Sequence, residues 1–534
     1  MSRRSTQSPA PPPRPRAAGS VGARSFVRQS RRRQSKPTRN HSRKRMGGAR
    51  RATESALRGV PTAAWVCALV ACLNAACWSL VTPPFQSPDE PSHFAYVKQL
   101  ADTGRLPKAA GTLPLEEETA LYDLHQPQAS ESPPTKTITS KAQQAELQSD
   151  LKHGFPTSVG NESAGVATSE PPLFYALQTI PYMLASGGTL LDQLQLMRLL
   201  AALMGGLTAL FSFLFLRECL PREPWAWIVG GLAVALAPLL AFTSGSVTPD
   251  AQLIAVSAAA FYCLARAFRR GLTRRSAIVL GAVTAIGFMT KLNFVGLAPG
   301  VLLGLAVLSV RAARTQGFAA YRSLAAALAV ALSPVAIFLC IHLASGHPAL
   351  GIVSSAIDAT HGSLPKELSY IWQLYLPRLP GMHNDFFGIA TWRQIWFYGY
   401  VGLFGWLDTS FPGWVYALAL IPAGLILVLA TAGLLQRRTC LRGRLAEILV
   451  YAAIAVGLMV LVGADSFLNY PRLDAEYGQT RYLLPLIPIL AAMTGLAARG
   501  AGRRWGPAVG ALLVMLFLAH DVLSQLQTIA RFYG

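Results

Sequence analysis

The sequence predicts an all-α polytopic membrane protein with about eleven transmembrane helices, and three observations carry that expectation. Of its 534 residues, 52% are hydrophobic and only 14% are charged. From residue 60 onward, apolar runs near the ~20 residues that cross a bilayer recur almost to the C-terminus. Gly and Pro are plentiful inside these runs, which helices in a bilayer tolerate better than a soluble bundle would.

Residues 1–58 stand apart. They hold 17 Lys or Arg against one acid, Glu54, and so account for +16 of the net charge of +22. Rich in Pro, Ser and Gln and nearly devoid of large apolar side chains, this segment cannot bury a core, and a disordered basic cytoplasmic tail is expected. Beside a first span such a tail sets topology and is drawn to anionic membrane lipids; no nucleic-acid partner is expected of it. Residues 59–534 then form the transmembrane domain. Its seven cysteines lie in or beside apolar runs, with neither a disulfide framework nor zinc spacing.

The expected spans are 60–81, 192–216, 225–243, 251–268, 275–291, 293–310, 322–345, 413–436, 445–463, 481–499 and 506–524. The first lacks a clear cleavage site and reads as a retained anchor. The short loops 217–224, 266–275, 311–322, 437–444 and 499–504 hold 2, 5, 3, 4 and 3 Lys or Arg, and 244–250 holds none. Positive loops stay cytoplasmic. That parity holds only if 171–187, broken by Pro181, and 391–407 do not cross, so both are expected to be interfacial or re-entrant. The N-terminus is then cytoplasmic and the C-terminus extracytoplasmic. The long first loop (82–191), an aromatic-rich loop (346–412) and 464–480 share the outer face, and 128–165 reads as a mobile stretch of the first loop.

Three helix starts on that face put an acid beside proline: Ser87-Pro88-Asp89-Glu90, Ser169-Glu170-Pro171-Pro172 and Thr248-Pro249-Asp250. Capping explains each alone, with Ser87 as N-cap and Glu90 closing a capping box. It explains less well why all three project to one side. Asp89 and His93, four residues apart, would share a helix face. Lys291 sits at the tip of a hairpin, where a lysine can simply snorkel to the interface. Arg481 opens the tenth span, Arg198 lies near the outer end of the second, and arginine's fork suits a phosphate. Aromatic residues crowding 370–411 read either as an interfacial belt or as a platform for sugar rings or a prenyl chain.

The set PDEPSHF, EPPLFYAL, TPDAQLIA, FGWLDTSFP and GQTRYLLPLIP resembles a large family of uncharacterised multispanning bacterial membrane proteins, a domain of unknown function that is itself similar to the GT-C glycosyltransferases. The resemblance covers most of the chain except the basic tail. It implies a GT-C-like fold and an integral inner-membrane, inverting glycosyltransferase, moving a sugar from a polyprenyl-phosphate donor to a cell-envelope glycan or lipid acceptor on the extracytoplasmic face. Asp89 matches the general base, with Glu90 as deputy. Arg481 and Lys291 would stabilise the leaving phosphate, and His93, Glu170, Asp250, Tyr482, Trp406 and Asp408 would complete the substrate site. No cofactor is required, although a divalent metal is compatible with the acids. The rivals are a transporter or flippase of lipid-linked saccharides and a non-catalytic membrane scaffold.

Overall fold

The computed structural model describes residues 59–107, 113–124, 140–156, 163–344, 364–382, 386–387, 392–473 and 478–533. The basic tail and much of the stretch expected to be mobile, 128–139 and 157–162, lie outside the described residues. Within that stretch, 140–156 departs from expectation. It carries a helix closed by a capping box between Ser140 and Gln143, so local side-chain hydrogen bonds order a polar segment that has no apolar face to bury.

The order is α1 (Thr62–Val81), α2 (Glu90–Thr103), α3 (Leu115–Asp123), α4 (Lys141–His153), α5 (Leu173–Leu184), α6 (Leu190–Cys219), α7 (Pro224–Ala235), α8 (Pro238–Ser244), α9 (Pro249–Arg270), α10 (Arg274–Thr290), α11 (Phe294–Gln316), α12 (Phe318–Ala344), α13 (Leu364–Tyr375), a π-helical turn (Arg393–Tyr398) running into α14 (Gly399–Gly402), β1 (Leu403–Phe404), β2 (Thr409–Ser410), α15 (Gly413–Leu435), α16 (Arg438–Gly443), α17 (Leu445–Leu473), a 3₁₀ turn (Thr480–Leu486), α18 (Ile487–Gly500) and α19 (Gly502–Phe532).

Among the described residues nine helices are long and apolar enough to cross a membrane, and α7 with α8 makes a tenth, bent by 57°. Pro238 causes that bend: it removes a helical donor and holds Ala237 in an extended conformation. The remaining expected span, 275–291, is α10, which has 17 residues. The expected interfacial segment 171–187 is the 12-residue α5, about 18 Å long against a hydrocarbon core of about 30 Å, so it is too short to cross alone. Likewise 392–410 breaks into a π turn, a single helical turn and a two-strand hairpin, with Leu403 paired to Ser410 and Phe404 to Thr409.

The basic loops meet at one end of the bundle. Glu218 accepts from Arg269 at 2.8 Å and Arg270 at 2.9 Å, while Arg437 and Arg499 both reach Glu223 at 2.8 Å. Arg444 pairs with Glu447 and donates to the Cys219 carbonyl at 2.7 Å. Loops 217–224, 266–275, 437–444 and 499–504 are thereby laced together.

Helix contact elsewhere depends on small residues, as is usual where lipid supplies no hydrophobic drive between helices. At the crossing of α15 and α18, a Cβ on Gly500 would collide with the Leu429 carbonyl. Gly500→Val is expected to cost about 1–3 kcal/mol by overpacking, read as a lower unfolding temperature of the detergent-purified protein.

Candidate active site

At the opposite end from the basic loops, four segments distant in sequence bring their charges into contact. Asp89 ends the turn after α1 in a left-handed conformation, φ 64°, and its carboxylate pairs with Arg481. The Arg481 Nη1 also donates to the Pro88 carbonyl at 3.1 Å, and its Nε lies 3.9 Å from Asp250 Oδ2. The other Asp250 oxygen accepts from Lys291 Nζ at 2.8 Å. Tyr482 packs beneath both cations, its ring 5.2 Å from the Arg481 guanidinium and 5.7 Å from Lys291 Nζ. Glu170 joins through the backbone, its carboxylate accepting from the Leu292 amide at 3.2 Å.

Local sequence explains these positions. Thr248 caps α9 on the amide of Asp250, fixing Asp250 at the helix mouth. Pro485 and Pro488 bracket the 3₁₀ entry into α18, so Arg481 sits on a tightened turn. Lys291 does not snorkel; it is buried against Asp250. The expected capping box at α2 is absent: the N-cap is Asp89, without a side-chain cap bond, because the left-handed turn and Pro91 move the helix start forward. The 169–172 start likewise lacks a side-chain cap, and Glu170 turns to Leu292 instead.

Two expectations need correcting. Glu90, the deputy base, is fully buried, and its oxygens take Arg198 Nε at 2.9 Å, Arg198 Nη2 at 2.5 Å and the Val247 amide at 2.9 Å. Neither oxygen is left to receive a substrate proton. Arg198, expected as a phosphate clamp, is used up by Glu90 and the carbonyls of Ser79, Thr82 and Pro83. The pair ties α1, α2 and α6 together beneath the site. By contrast, the Asp89 side chain retains 26% of its exposure.

Trp406 and Asp408 do not join the charge cluster. Trp406 donates to the Phe85 carbonyl at 3.2 Å, and Asp408 pairs with Arg531 of α19 at 3.1 Å, so both anchor the β1–β2 hairpin. Gln527 donates to the Ser410 carbonyl at 3.0 Å from the same helix. In the aromatic-rich segment Tyr370, Phe387 and Phe404 are buried, Trp372 is exposed, and Tyr375 stacks on Trp396 at 4.9 Å. A cavity of about 220 Å³ opens between this hairpin and the charge cluster, walled by Pro88, Phe242, Gln394, Leu403, Leu407 and Arg481 among others. Phe85, Asp89 and Leu407 are the non-glycine residues with positive φ among those described: Leu407 lines the cavity, Asp89 pairs with Arg481 of its wall, and the Phe85 carbonyl accepts from Trp406 of the hairpin. Strain of that kind is held only where surrounding structure imposes it, and functional sites are where it concentrates.

Electrostatics separate the titratable groups. Burial pushes the Asp89 carboxyl up, but Arg481, with Lys291 behind it, outweighs burial and holds it below the ordinary carboxylate range, so it is ionised at neutral pH. Burial lifts the Glu170 carboxyl above its usual value, against the pull of Lys291. His93 turns its Nδ1 to the Tyr175 hydroxyl at 3.0 Å, and burial pushes its imidazole down to about 3. The unfolded chain therefore binds that proton first, near pH ~6.5. The stability His93 contributes is complete above that value and is lost as pH falls toward the folded pKa. His93→Asn, which keeps an acceptor for Tyr175, is expected to flatten the fall in unfolding temperature between about pH 6.5 and 4.

The fold and this site define a polytopic helical membrane protein with a charged pocket at one end of its bundle. The chain belongs to the family described as Predicted membrane protein (DUF2142), which it matches over residues 62–490. Similar solved structures include ArnT from Cupriavidus metallidurans bound to undecaprenyl phosphate, at 15% identity and a TM-score of 0.44, covering 87% of this chain and 77% of that one. Another is the oligosaccharyltransferase of Archaeoglobus fulgidus in the apo form, at 12% identity and a TM-score of 0.41, covering 87% and 56%. This chain spans 59% of the length of apo ArnT, with 14% identity and a TM-score of 0.41 over 80% of itself. No curated protein matches it in sequence.

Proposed function

We propose that this chain is an inverting glycosyltransferase of the bacterial inner membrane that moves a sugar from a polyprenyl-phosphate donor to a cell-envelope glycan or lipid acceptor at the extracytoplasmic face. The observation that carries this is the Asp89–Arg481–Asp250–Lys291 cluster beside the cavity: an ionised carboxylate next to two cations at one end of the bundle. The basic loops face the cytoplasm in this arrangement, the N-terminal tail meets anionic lipids there, and the C-terminus lies outside.

In the reaction, the acceptor hydroxyl oxygen forms a bond to the anomeric carbon as the bond from that carbon to the phosphate oxygen breaks. The bonding pair leaves with the polyprenyl phosphate, and the hydroxyl proton passes to an Asp89 oxygen. Arg481 and Lys291 stabilise the charge gathering on the phosphate, so the step does not depend on a cofactor. Arg481 links the two halves. Each phosphate oxygen it takes up weakens its hold on Asp89, which raises the basicity of Asp89 as donor binds. Glu90 and Arg198 act as positioning residues that fix the Pro88-Asp89 turn.

Reconstituted protein supplied with polyprenyl-phosphate sugars and an envelope acceptor fraction is expected to release polyprenyl phosphate in step with sugar transferred. Absence of transfer with every donor, alongside movement of intact lipid-linked saccharide across the bilayer, would support the transporter instead. Lys291→Met should slow transfer by about 10²–10³-fold, the scale for losing one charge-stabilising donor; because it also removes the partner of buried Asp250, unfolding temperature is measured alongside to separate lost catalysis from lost fold.

A further inference from the structure

We infer that the prenyl chain of a polyprenyl phosphate runs from Arg481 along the 3₁₀ entry of α18, in the groove formed by Thr480, Leu483, Leu486, Leu490 and Tyr400. This rests on the proposed use of a lipid-linked donor and adds where the lipid lies. A second hollow of about 240 Å³ is lined by these residues with Leu484 and Ile487, and its walls are almost wholly apolar. It shares Thr480 with the cavity lined by Arg481, so the two hollows adjoin at that residue.

The geometry suits a chain. A 3₁₀ helix has three residues per turn, so Thr480, Leu483 and Leu486 stand in one line, and Ile487 and Leu490 extend it where α18 begins. Over ten residue steps the line is about 15–20 Å long at 1.5–2.0 Å per residue, longer than one isoprene unit. Leu483, Leu486 and Leu490 keep part of their surface exposed, as residues walling an open groove do.

The head of the path is built for an anion. Arg481 is nine-tenths buried, lines the cavity, and its Nε has no hydrogen-bond partner. The Gln479 Oε1, in the same cavity wall, and the Tyr400 hydroxyl, in the wall of the groove, are also unpartnered. An uncharged lipid leaves the Arg481 Nε without an acceptor, whereas a phosphate monoester supplies one and trails its chain into the groove. Lipid tails are as apolar as leucine, so the groove contributes fit and orientation, not transfer out of water.

The test is photolabelling in nanodiscs with a polyprenyl phosphate carrying a diazirine on its first isoprene units. Labels are expected at Leu483, Leu486 or Leu490, competed by unlabelled polyprenyl phosphate but not by the neutral polyprenol. Leu486→Trp and, separately, Leu490→Trp should lower groove labelling about tenfold. Labelling scattered over lipid-facing helices, undiminished by competitor, overturns the inference; so does focused labelling on another face while sugar transfer persists. Focused, competed labelling in the groove with no transfer from any sugar donor supports the lipid path while contradicting the enzymatic proposal.

Discussion

Asp89→Asn should lower sugar transfer by about 10²–10⁴-fold, the range for removing a positioned general base. Asparagine has nearly the same shape and can still accept from Arg481, so the Pro88-Asp89 turn should persist. What vanishes is the site that takes the acceptor proton. Because the exchange also removes the carboxylate that competes for Arg481, donor affinity should hold or improve. Steady-state kinetics should therefore show kcat falling with KM unchanged or lower, the pattern for an interaction made only in the transition state. A raised KM with unchanged kcat would place Asp89 in binding alone. The kcat/KM pH profile of the wild type, which reports the free enzyme, should show its acid limb below the ordinary carboxylate range, since Arg481 holds Asp89 down before donor binds.

Arg198→Met is the second large effect, and it falls on stability. The substitution strands the Glu90 carboxylate, fully buried, and leaves the carbonyls of Ser79, Thr82 and Pro83 without their donor. Breaking one side of a buried ion pair costs about 3–5 kcal/mol, and thermal unfolding in detergent should report it. Replacing both partners, Arg198→Met with Glu90→Leu, should recover part of the loss, because no buried charge is then left alone. If the single variant unfolds like the wild type, Glu90 and Arg198 are not the tie assigned here.

How far the sequence revealed this differs by element. Spans were legible because lipid imposes length and apolarity, and each expected span corresponds to a helix, even α7–α8, where Pro238 breaks the line. Segments 171–187 and 391–407 are excluded as spans by charge parity, and the short helices found there agree. Asp89, Asp250, Lys291 and Arg481 could be assigned to one side by topology, but which cation meets which acid could not, since pairing depends on how α9, α10 and the 3₁₀ turn pack. In sequence Glu90 reads as the deputy to Asp89. A left-handed turn between them points one carboxylate toward Arg481 and the other into Arg198, and nothing in the local string announces that turn. Tyr175 was visible only inside EPPLFYAL, with no hint that it would hold His93. The hairpin is not legible in 391–407, which reads only as an interfacial or re-entrant segment; Gly405, at φ 61°, and Trp406 reaching back to Phe85 close it. Its clamp, α19, lies beyond the residues that match the family, 62–490.

Everything functional here depends on Asp89 and Arg481 acting as one unit on a phosphosugar. The most direct measurement is a double-mutant cycle on kcat/KM for sugar transfer, using Asp89→Asn, Arg481→Gln and the double variant in reconstituted membranes. The account predicts strong non-additivity, with the double variant no slower than the worse single one, because each removes the same coupled machinery. Losses that simply multiply, or a double variant that turns over like the wild type, would contradict it.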